Sequence, residues 1–311
     1  MNSLKTIDDE RLEHPAAVAW MQLQSQNHYP TRIDVISQNE KSSVFRLYSV
    51  GSFGSSLIAK RCGLVSVGIE RMVYEEILPR LPVPTLRFYG VITESQGEHG
   101  WIFLEDAGDQ TMPMGGNEAQ ELISRCVAAI HVAAESVGSV QGLPDSGPNY
   151  FLHRLGAIKL ALQDRLVCLH AEPEDEQVLQ SFMDVCDQLE LSWHKIEDFC
   201  FGLPKTLVHG DLAPENFRIR KGKSEPELLI LDWEKTGWGV PAVDLTVVDP
   251  GVYYSVVSSH WPALGLANVE QLQRYGRIFR TLVHDIAGKP MRKIERYVRR
   301  LANELWSAGL A

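Results

Sequence analysis

Between residues 206 and 232 the helical periodicity of the carboxy-terminal two thirds of the chain stops, and the segment that replaces it can fold in few ways. Phe217-Arg218-Ile219-Arg220 alternates apolar and polar residues, the period of a half-buried strand. Lys221 to Glu227 has the Lys, Gly, Ser and Pro content of a turn, and Leu228-Leu229-Ile230-Leu231 is an apolar run of buried-strand length. Two four-residue arms joined by a turn fold back as a hairpin. Such a hairpin returns Asp232 to the side of Asn216, sixteen residues earlier in the chain. Any fold for this chain must therefore interrupt a helical body with a loop and hairpin that set two polar side chains together.

The rest of the chain reads as strands followed by helices. Val44-Phe45-Arg46-Leu47-Tyr48 alternates, Gly51-Ser52-Phe53-Gly54 makes a turn, and Leu57-Ile58-Ala59-Lys60 returns as a second strand. Ile69, Met72, Val73 and Ile77 recur at helical spacing until Pro79, after which Leu81-Pro82-Val83-Pro84 must be extended. Trp101-Ile102-Phe103-Leu104 is a further strand, broken by Glu105-Asp106-Ala107-Gly108. Helical periods then run over Glu118–Glu135, Tyr150–His170 and Glu176–Phe199. Met291–Leu305 is amphipathic and reads as a packed closing helix rather than a membrane-surface one. Strands first and helices after predict an α+β architecture in 311 residues, with a smaller lobe over 1–106 and a larger, mainly helical lobe over 107–311.

Charge and composition exclude several function classes. The net charge is −10, the wrong sign for a reader of nucleic-acid phosphates. No apolar run reaches the roughly 18 residues of a membrane span, and the acidic Met1–Glu10 run is not a secretory signal. Five scattered cysteines without a C-x-x-C pair predict reduced thiols in a cytoplasmic protein, with neither structural zinc nor a disulfide scaffold. Residues 107–205 carry 6 basic and 15 acidic side chains, a solvated face on charge alone and one that could attract a cationic small molecule. The run Glu172, Glu174, Asp175 and Glu176 reads as a solvated loop. Trp238, Tyr253, Tyr254 and Trp261 read as core aromatics before they read as an acceptor-stacking set.

The polar residues of the interrupting segment carry chemistry. His209-Gly210-Asp211-Leu212-Ala213-Pro214-Glu215-Asn216 follows the register H-x-D-x-x-x-x-N, and an apolar run then delivers Asp232-Trp233-Glu234. A phosphoryl group in transfer spreads negative charge over its oxygens. Carboxylate and amide oxygens must hold hard Mg²⁺ ions against nucleotide phosphates while one further carboxylate faces the attacking hydroxyl. Any of these residues alone would be a turn residue or a cap; the loop, hairpin-length gap and terminal acid together are not explained by turn chemistry.

These motifs resemble those of the aminoglycoside phosphotransferase family and its choline-kinase-like relatives, which share the bilobal protein-kinase-like fold. Gly239-Val240-Pro241-Ala242-Val243-Asp244-Leu245 is similar to the family's G-x-P-x-x-D-L segment. By resemblance, Asp211 is the catalytic base or acceptor-orienting carboxylate and His209 supports its loop. Asn216 and Asp232 bind Mg²⁺, and Lys60 contacts the phosphates of ATP or GTP. Glu70 pairs with Lys60, although a connection of only ten residues leaves Glu75 and Glu76 as alternatives. The segment at Glu105 and Ala107 resembles the linker whose backbone receives the nucleobase. Asp244 braces the catalytic loop from a helix terminus, and His131 is a satisfied core histidine.

Departures from the pattern matter. There is no G-x-G-x-x-G loop, so the phosphate-covering turn falls at Asn39-Glu40-Lys41-Ser42-Ser43, with Ser42 and Ser43 as its cradle. Glu234 stands where a protein kinase has the last glycine of D-F-G, and no A-P-E segment follows. The resemblance then implies a Mg-dependent O-phosphotransferase, monomeric or homodimeric, acting on a small hydroxylated and possibly cationic acceptor. An antibiotic of aminoglycoside, macrolide or nucleoside type fits, as does a metabolite such as choline or homoserine; a catalytically silent binding module is the alternative from another class.

Overall fold

The computed structural model describes residues 5–7, 12–24, 29–95, 97–111, 116–138, 140–168, 173–222, 226–284, 286 and 288–311. Most of the acidic Met1–Glu10 run, His170, Glu172 and residues 223–225 of the expected turn lie outside the described residues. In chain order the elements begin β1 (Lys5–Ile7), α1 (Pro15–Leu23), β2 (Ile33–Gln38), β3 (Ser42–Leu47), β4 (Leu57–Gly63), α2 (Leu64–Met72), β5 (Phe88–Thr93) and β6 (His99–Glu105). They continue with α3 (Asn117–Val137), α4 (Pro148–Cys168), α5 (Pro173–Leu191), α6 (Trp193–Cys200), β7 (Thr206–Val208), β8 (Phe217–Lys221) and β9 (Pro226–Ile230). The chain closes with β10 (Gly237–Gly239), α7 (Pro250–Val257), α8 (Leu266–Leu282) and α9 (Met291–Ser307). An antiparallel sheet followed by a mainly helical remainder is the α+β class that the order of periods predicts. Two compact units divide it, Met1–Met114 with Ala213–Lys235 and Gly115–Leu212 with Thr236–Ala311. The hairpin thus belongs to the first unit, whereas a sequence boundary at 106 leaves it in the second lobe.

The first unit is a six-stranded antiparallel sheet in the order β1-β2-β3-β4-β6-β5. Strand alternation gives it two faces. Phe45, Leu47, Leu57, Ala59, Trp101 and Phe103 point one way and close a core against Ala16, Ala17 and Trp20 of α1. Their sequence neighbours Val44, Arg46, Ile58, Lys60 and Leu104 take the other face. Helix α2 begins directly after β4, with Gly63 as its extended N-cap, and buries Val67 and Glu70. Beyond Met72 the coil widens into a single π-type stretch, Val73–Ile77, which buries Tyr74 and ends before the Pro79 break. The hairpin forms as the alternation predicts, with Phe217 opposite Ile230 and Lys221 opposite Pro226. The Leu231 N–H donates to the Asn216 carbonyl at 2.9 Å, which puts Asp232 beside Asn216.

The second unit packs α3 against α7 and against β7 of the two-stranded β7–β10 ribbon, and α9 against α5 and α8. Gly276 on α8 lies so close to the chain before Asp244 that a Cβ there would stand 1.8 Å from the Ala242 carbonyl oxygen. The helical period over Glu176–Phe199 is divided, contrary to expectation. Helix α5 ends at Leu191 and α6 starts at Trp193. The break falls at Ser192, whose hydroxyl donates to the Leu310 carbonyl at 2.9 Å while its N–H still reaches Gln188. Helix α9 buries Ile294, Leu301 and Leu305, as a closing helix should. Among the described residues no helix is long and apolar enough to cross a membrane.

Candidate functional site

The open face of the first unit's sheet, the linker after β6 and the β8–β9 hairpin enclose a cavity of about 310 Å³. Ser42, Lys60, Glu70, Glu105, Ala107, Asn216 and Asp232, all expected from sequence, line it. Ser43 does not, because alternation along β3 turns it away from the face shared by Ser42 and Val44. In place of glycines, the turn before Ser42 is built by a side chain. Asn39 Oδ1 accepts from the N–H groups of Lys41 at 2.8 Å and Ser42 at 2.9 Å.

Lys60 is the centre of charge. Its ammonium donates to Glu70 Oε1 at 2.6 Å, to Glu234 Oε2 at 3.1 Å and to Asp232. Burial alone would lower the lysine pKa, but the charges of Glu70, Asp232 and Glu234 outweigh it and raise the pKa, so Lys60 stays a cation. Glu70 is 1% exposed, and burial pushes its carboxyl up to about 7 against the pull of Lys60. The pairing settles on Glu70 because it lies on the buried side of α2. Glu75 instead pairs with Arg71 at 2.8 Å on the exposed side.

Carboxylate oxygens of Glu70, Asp232 and Glu234 all lie within 4.8 Å of one another. Asp232 follows the hairpin with φ of 65°, the left-handed region that few non-glycine residues adopt. Asn216, beside it, is 8% exposed. Carboxylate and amide oxygens are the hard donors that Mg²⁺ takes, so the residues present fit that ion. Glu234 completes this cluster although the sequence reading gave it no site role, its only local signal being a second carboxylate two residues after Asp232.

At the other end of the cavity a cluster holds the linker. Arg46 Nε lies 2.7 Å from Asp106 and its Nη2 2.6 Å from Asp109. Ser56 donates to Asp106 at 2.6 Å, and Glu105 accepts from the Arg87 N–H at 2.9 Å and from Arg220 at 3.1 Å. Residues 105–109 are thereby held in one conformation, with Gly108 at φ of 75° closing the turn. Arg46 could not be picked out from sequence, since its partners lie about sixty residues away.

His209 and Asp211 belong to the second unit and are described there. The His209 N–H donates to Asp244 Oδ2 at 2.7 Å and the Gly210 N–H to Asp244 Oδ1 at 3.0 Å. The Asp211 N–H donates in turn to His209 Nδ1 at 3.2 Å, and Gly210 sits at φ of 81°. Asp244 thus braces the loop that presents the half-buried Asp211. Burial alone would raise the Asp244 pKa, but hydrogen bonding and charge from His131 and His209 hold its carboxyl below the usual range. His131 is a satisfied core histidine, with Nδ1 2.9 Å from Tyr253 Oη and Nε2 3.3 Å from Asp244. Tyr253 and Trp261 are buried, as core aromatics are.

Solved structures share this fold at low identity. A ternary complex of the aminoglycoside phosphotransferase APH(4)-Ia with AMP-PNP and hygromycin B is similar at a TM-score of 0.59 and 14% identity, over 93% of this chain and 98% of that one. A GDP complex of aminoglycoside 2'-phosphotransferase-IIIa gives 0.59 and 12%, over 96% of each chain. An ethanolamine kinase of Plasmodium vivax gives 0.55 and 12%, over 89% of this chain and 82% of that one. No curated protein matches the chain in sequence. The model of the phosphotransferase enzyme family matches residues 43–281. With most of its length so matched, the chain belongs to the phosphotransferase enzyme family, as an enzyme that moves phosphate to a hydroxyl acceptor.

Proposed function

We propose that this protein is a Mg-dependent O-phosphotransferase that moves the γ-phosphate of ATP or GTP to a hydroxyl of a small cationic antibiotic of the aminoglycoside type. The observation that carries the reading is the Lys60 ammonium held among Glu70, Asp232 and Glu234 in a cavity that also contains Asn216. Lys60 draws the nucleotide phosphates in, and Glu70 keeps its ammonium aimed. Asn216 and Asp232, with Glu234 alongside, hold the metal; Mg²⁺ bound there would neutralise phosphate oxygens as charge develops on them. The backbone of Glu105–Ala107 receives the nucleobase, and the Ser42 turn covers the phosphates.

Asp211 accepts the proton of the attacking hydroxyl as its oxygen bonds to phosphorus and the nucleoside diphosphate leaves. His209 and Asp244 fix the loop that carries it. The acidic balance of residues 107–205 supports a cationic acceptor, and the missing A-P-E segment supports a small molecule over a protein. A second reading, an amino-alcohol kinase of metabolism, is favoured by the likeness to the ethanolamine kinase. Nucleotide consumption by the purified protein should be screened against aminoglycosides, macrolides, nucleoside antibiotics and amino alcohols. Turnover with an aminoglycoside, lost in Asp211→Ala, is expected. Turnover with amino alcohols alone would shift the assignment to the second reading. Nucleotide binding without turnover on any acceptor would replace both with a silent binding module.

A further inference from the structure

The cavity of the first unit has two chemically different ends, and Arg218 stands at the one without the lysine. On the sheet wall, Val44, Lys60 and Ile102 form one cross-strand row and Arg46, Ile58 and Leu104 the next inward-facing row. Two residues along a strand separate these rows by about 7 Å. The second row belongs to the linker end, because Leu104 runs into residues 105–109 and Arg46 is clamped to Asp106 and Asp109.

Strand β8 is tied to that same end. The Ile219 N–H donates to the Gln110 carbonyl at 3.0 Å, Arg218 bridges to Thr111, and Arg220 reaches Glu105 at 3.1 Å. Arg218 lines the cavity from this hairpin, and its charge adds to the Arg46 hydrogen bond that holds the Asp109 carboxyl low. Its Nη1 donates to the carbonyls of Glu215 at 2.8 Å and Phe217 at 2.9 Å, which anchors one edge of the guanidinium against its own loop. A guanidinium held by an edge presents flat faces, and such a face stacks on a π-system more readily than an ammonium does. A phosphate-binding cation belongs beside Lys60. A planar cation that shares the cavity with Ile58 and Leu104 fits a flat aromatic ring.

We propose that Arg218 is the stacking platform of the nucleobase subsite, with the base held between its guanidinium and the Ile58–Leu104 row. The inference rests on reading this cavity as the nucleotide site. The test is calorimetric titration of wild type, Arg218→Ala and Arg218→Lys with Mg·ATP, Mg·GTP and Mg·tripolyphosphate, which has no base, with melting curves alongside. Both variants should bind the two nucleotides about ten-fold more weakly, the scale of a partly desolvated cation–π contact, and bind tripolyphosphate as wild type does. Unchanged tripolyphosphate affinity also shows that the cavity is still formed. Wild-type nucleotide affinity in the variants would overturn the inference. So would an equal loss of tripolyphosphate binding in Arg218→Ala that lysine restores, the behaviour of a phosphate contact. Should the alanine variant not fold, the lysine variant carries the comparison alone. A wild type that binds none of the three probes would overturn the nucleotide reading itself, a result distinct from any failure confined to Arg218.

Discussion

Replacing Asp244 should expose how much of the catalytic loop rests on one buried carboxylate. That side chain accepts from the His209 N–H at 2.7 Å and the Gly210 N–H at 3.0 Å, with His131 Nε2 at 3.3 Å. Asp244 is 1% exposed and His209 2%, so water has poor access to the His209 N–H once the acceptor is gone. Hydrogen bonds to a charged acceptor are worth about 1.5–3 kcal/mol each, so Asp244→Ala, losing the two short ones, should cost about 3–6 kcal/mol. Against a typical stability of about 5–15 kcal/mol that is a large fraction. Asp244→Asn keeps one acceptor oxygen but turns an NH₂ toward a donor, and should cost about 2–3 kcal/mol.

The sign of the pH dependence follows from the depressed pKa of Asp244. A carboxyl held below its unfolded value stabilises fully above that value, and the stabilisation is lost as pH falls through the folded pKa. The gap between wild type and Asp244→Asn should therefore be widest near neutrality and shrink as pH falls below 3.8, the ordinary value of an aspartate. Urea unfolding followed by circular dichroism at pH 7 and at pH 3 measures both quantities. An Asp244→Ala variant within about 1 kcal/mol of wild type at pH 7 would refute the reasoning, as would a gap that widens on acidification.

Three further outcomes are expected. Asp211→Ala should abolish turnover while leaving the melting temperature and nucleotide affinity nearly unchanged; steady-state kinetics with calorimetry checks it, and near-normal turnover would remove Asp211 from the chemistry. Glu234→Gln should raise the Mg²⁺ concentration for half-maximal rate about ten-fold, the size of effect that loss of a supporting metal-site group produces, and an unchanged metal requirement in a Mg²⁺ titration would count against it. Gly276→Ala should unfold or severely destabilise the second unit, because its Cβ would stand 1.8 Å from the Ala242 carbonyl oxygen; a melting point equal to wild type would contradict that packing.

Local pattern carried the parts of the fold that are local. The hairpin was legible because both arms and the turn lie within one short stretch, and with it came the meeting of Asn216 and Asp232. The choice among Glu70, Glu75 and Glu76 was not legible. It depends on α2 starting at once after β4, which turns Glu70 inward and leaves Glu75 to Arg71. Strand β2 escaped notice because Asp34 sits buried within it, satisfied by Thr6, Arg32 and Tyr48 from other strands and loops. Strand β5 is interrupted by Gly90 at φ of 135°, where its register with β6 shifts. The α5–α6 break has no periodic signature, since buried Leu189, Trp193 and Ile196 run through it. Arg46 and Arg218 read as polar strand residues until folding supplies distant partners.

The three acids around Lys60 outnumber it, leaving an excess of negative charge where a polyanion has to enter. A bare triphosphate approaching that corner meets repulsion as well as one attractive ammonium. A chelated triphosphate brings its own countercharge and gives Asp232 and Glu234 something to bind in exchange for the lysine. Divalent ion and nucleotide should therefore reinforce each other's affinity by the same factor, in either order of addition. On the proposed reading, discrimination against unchelated nucleotide is built into the resting arrangement of these four side chains.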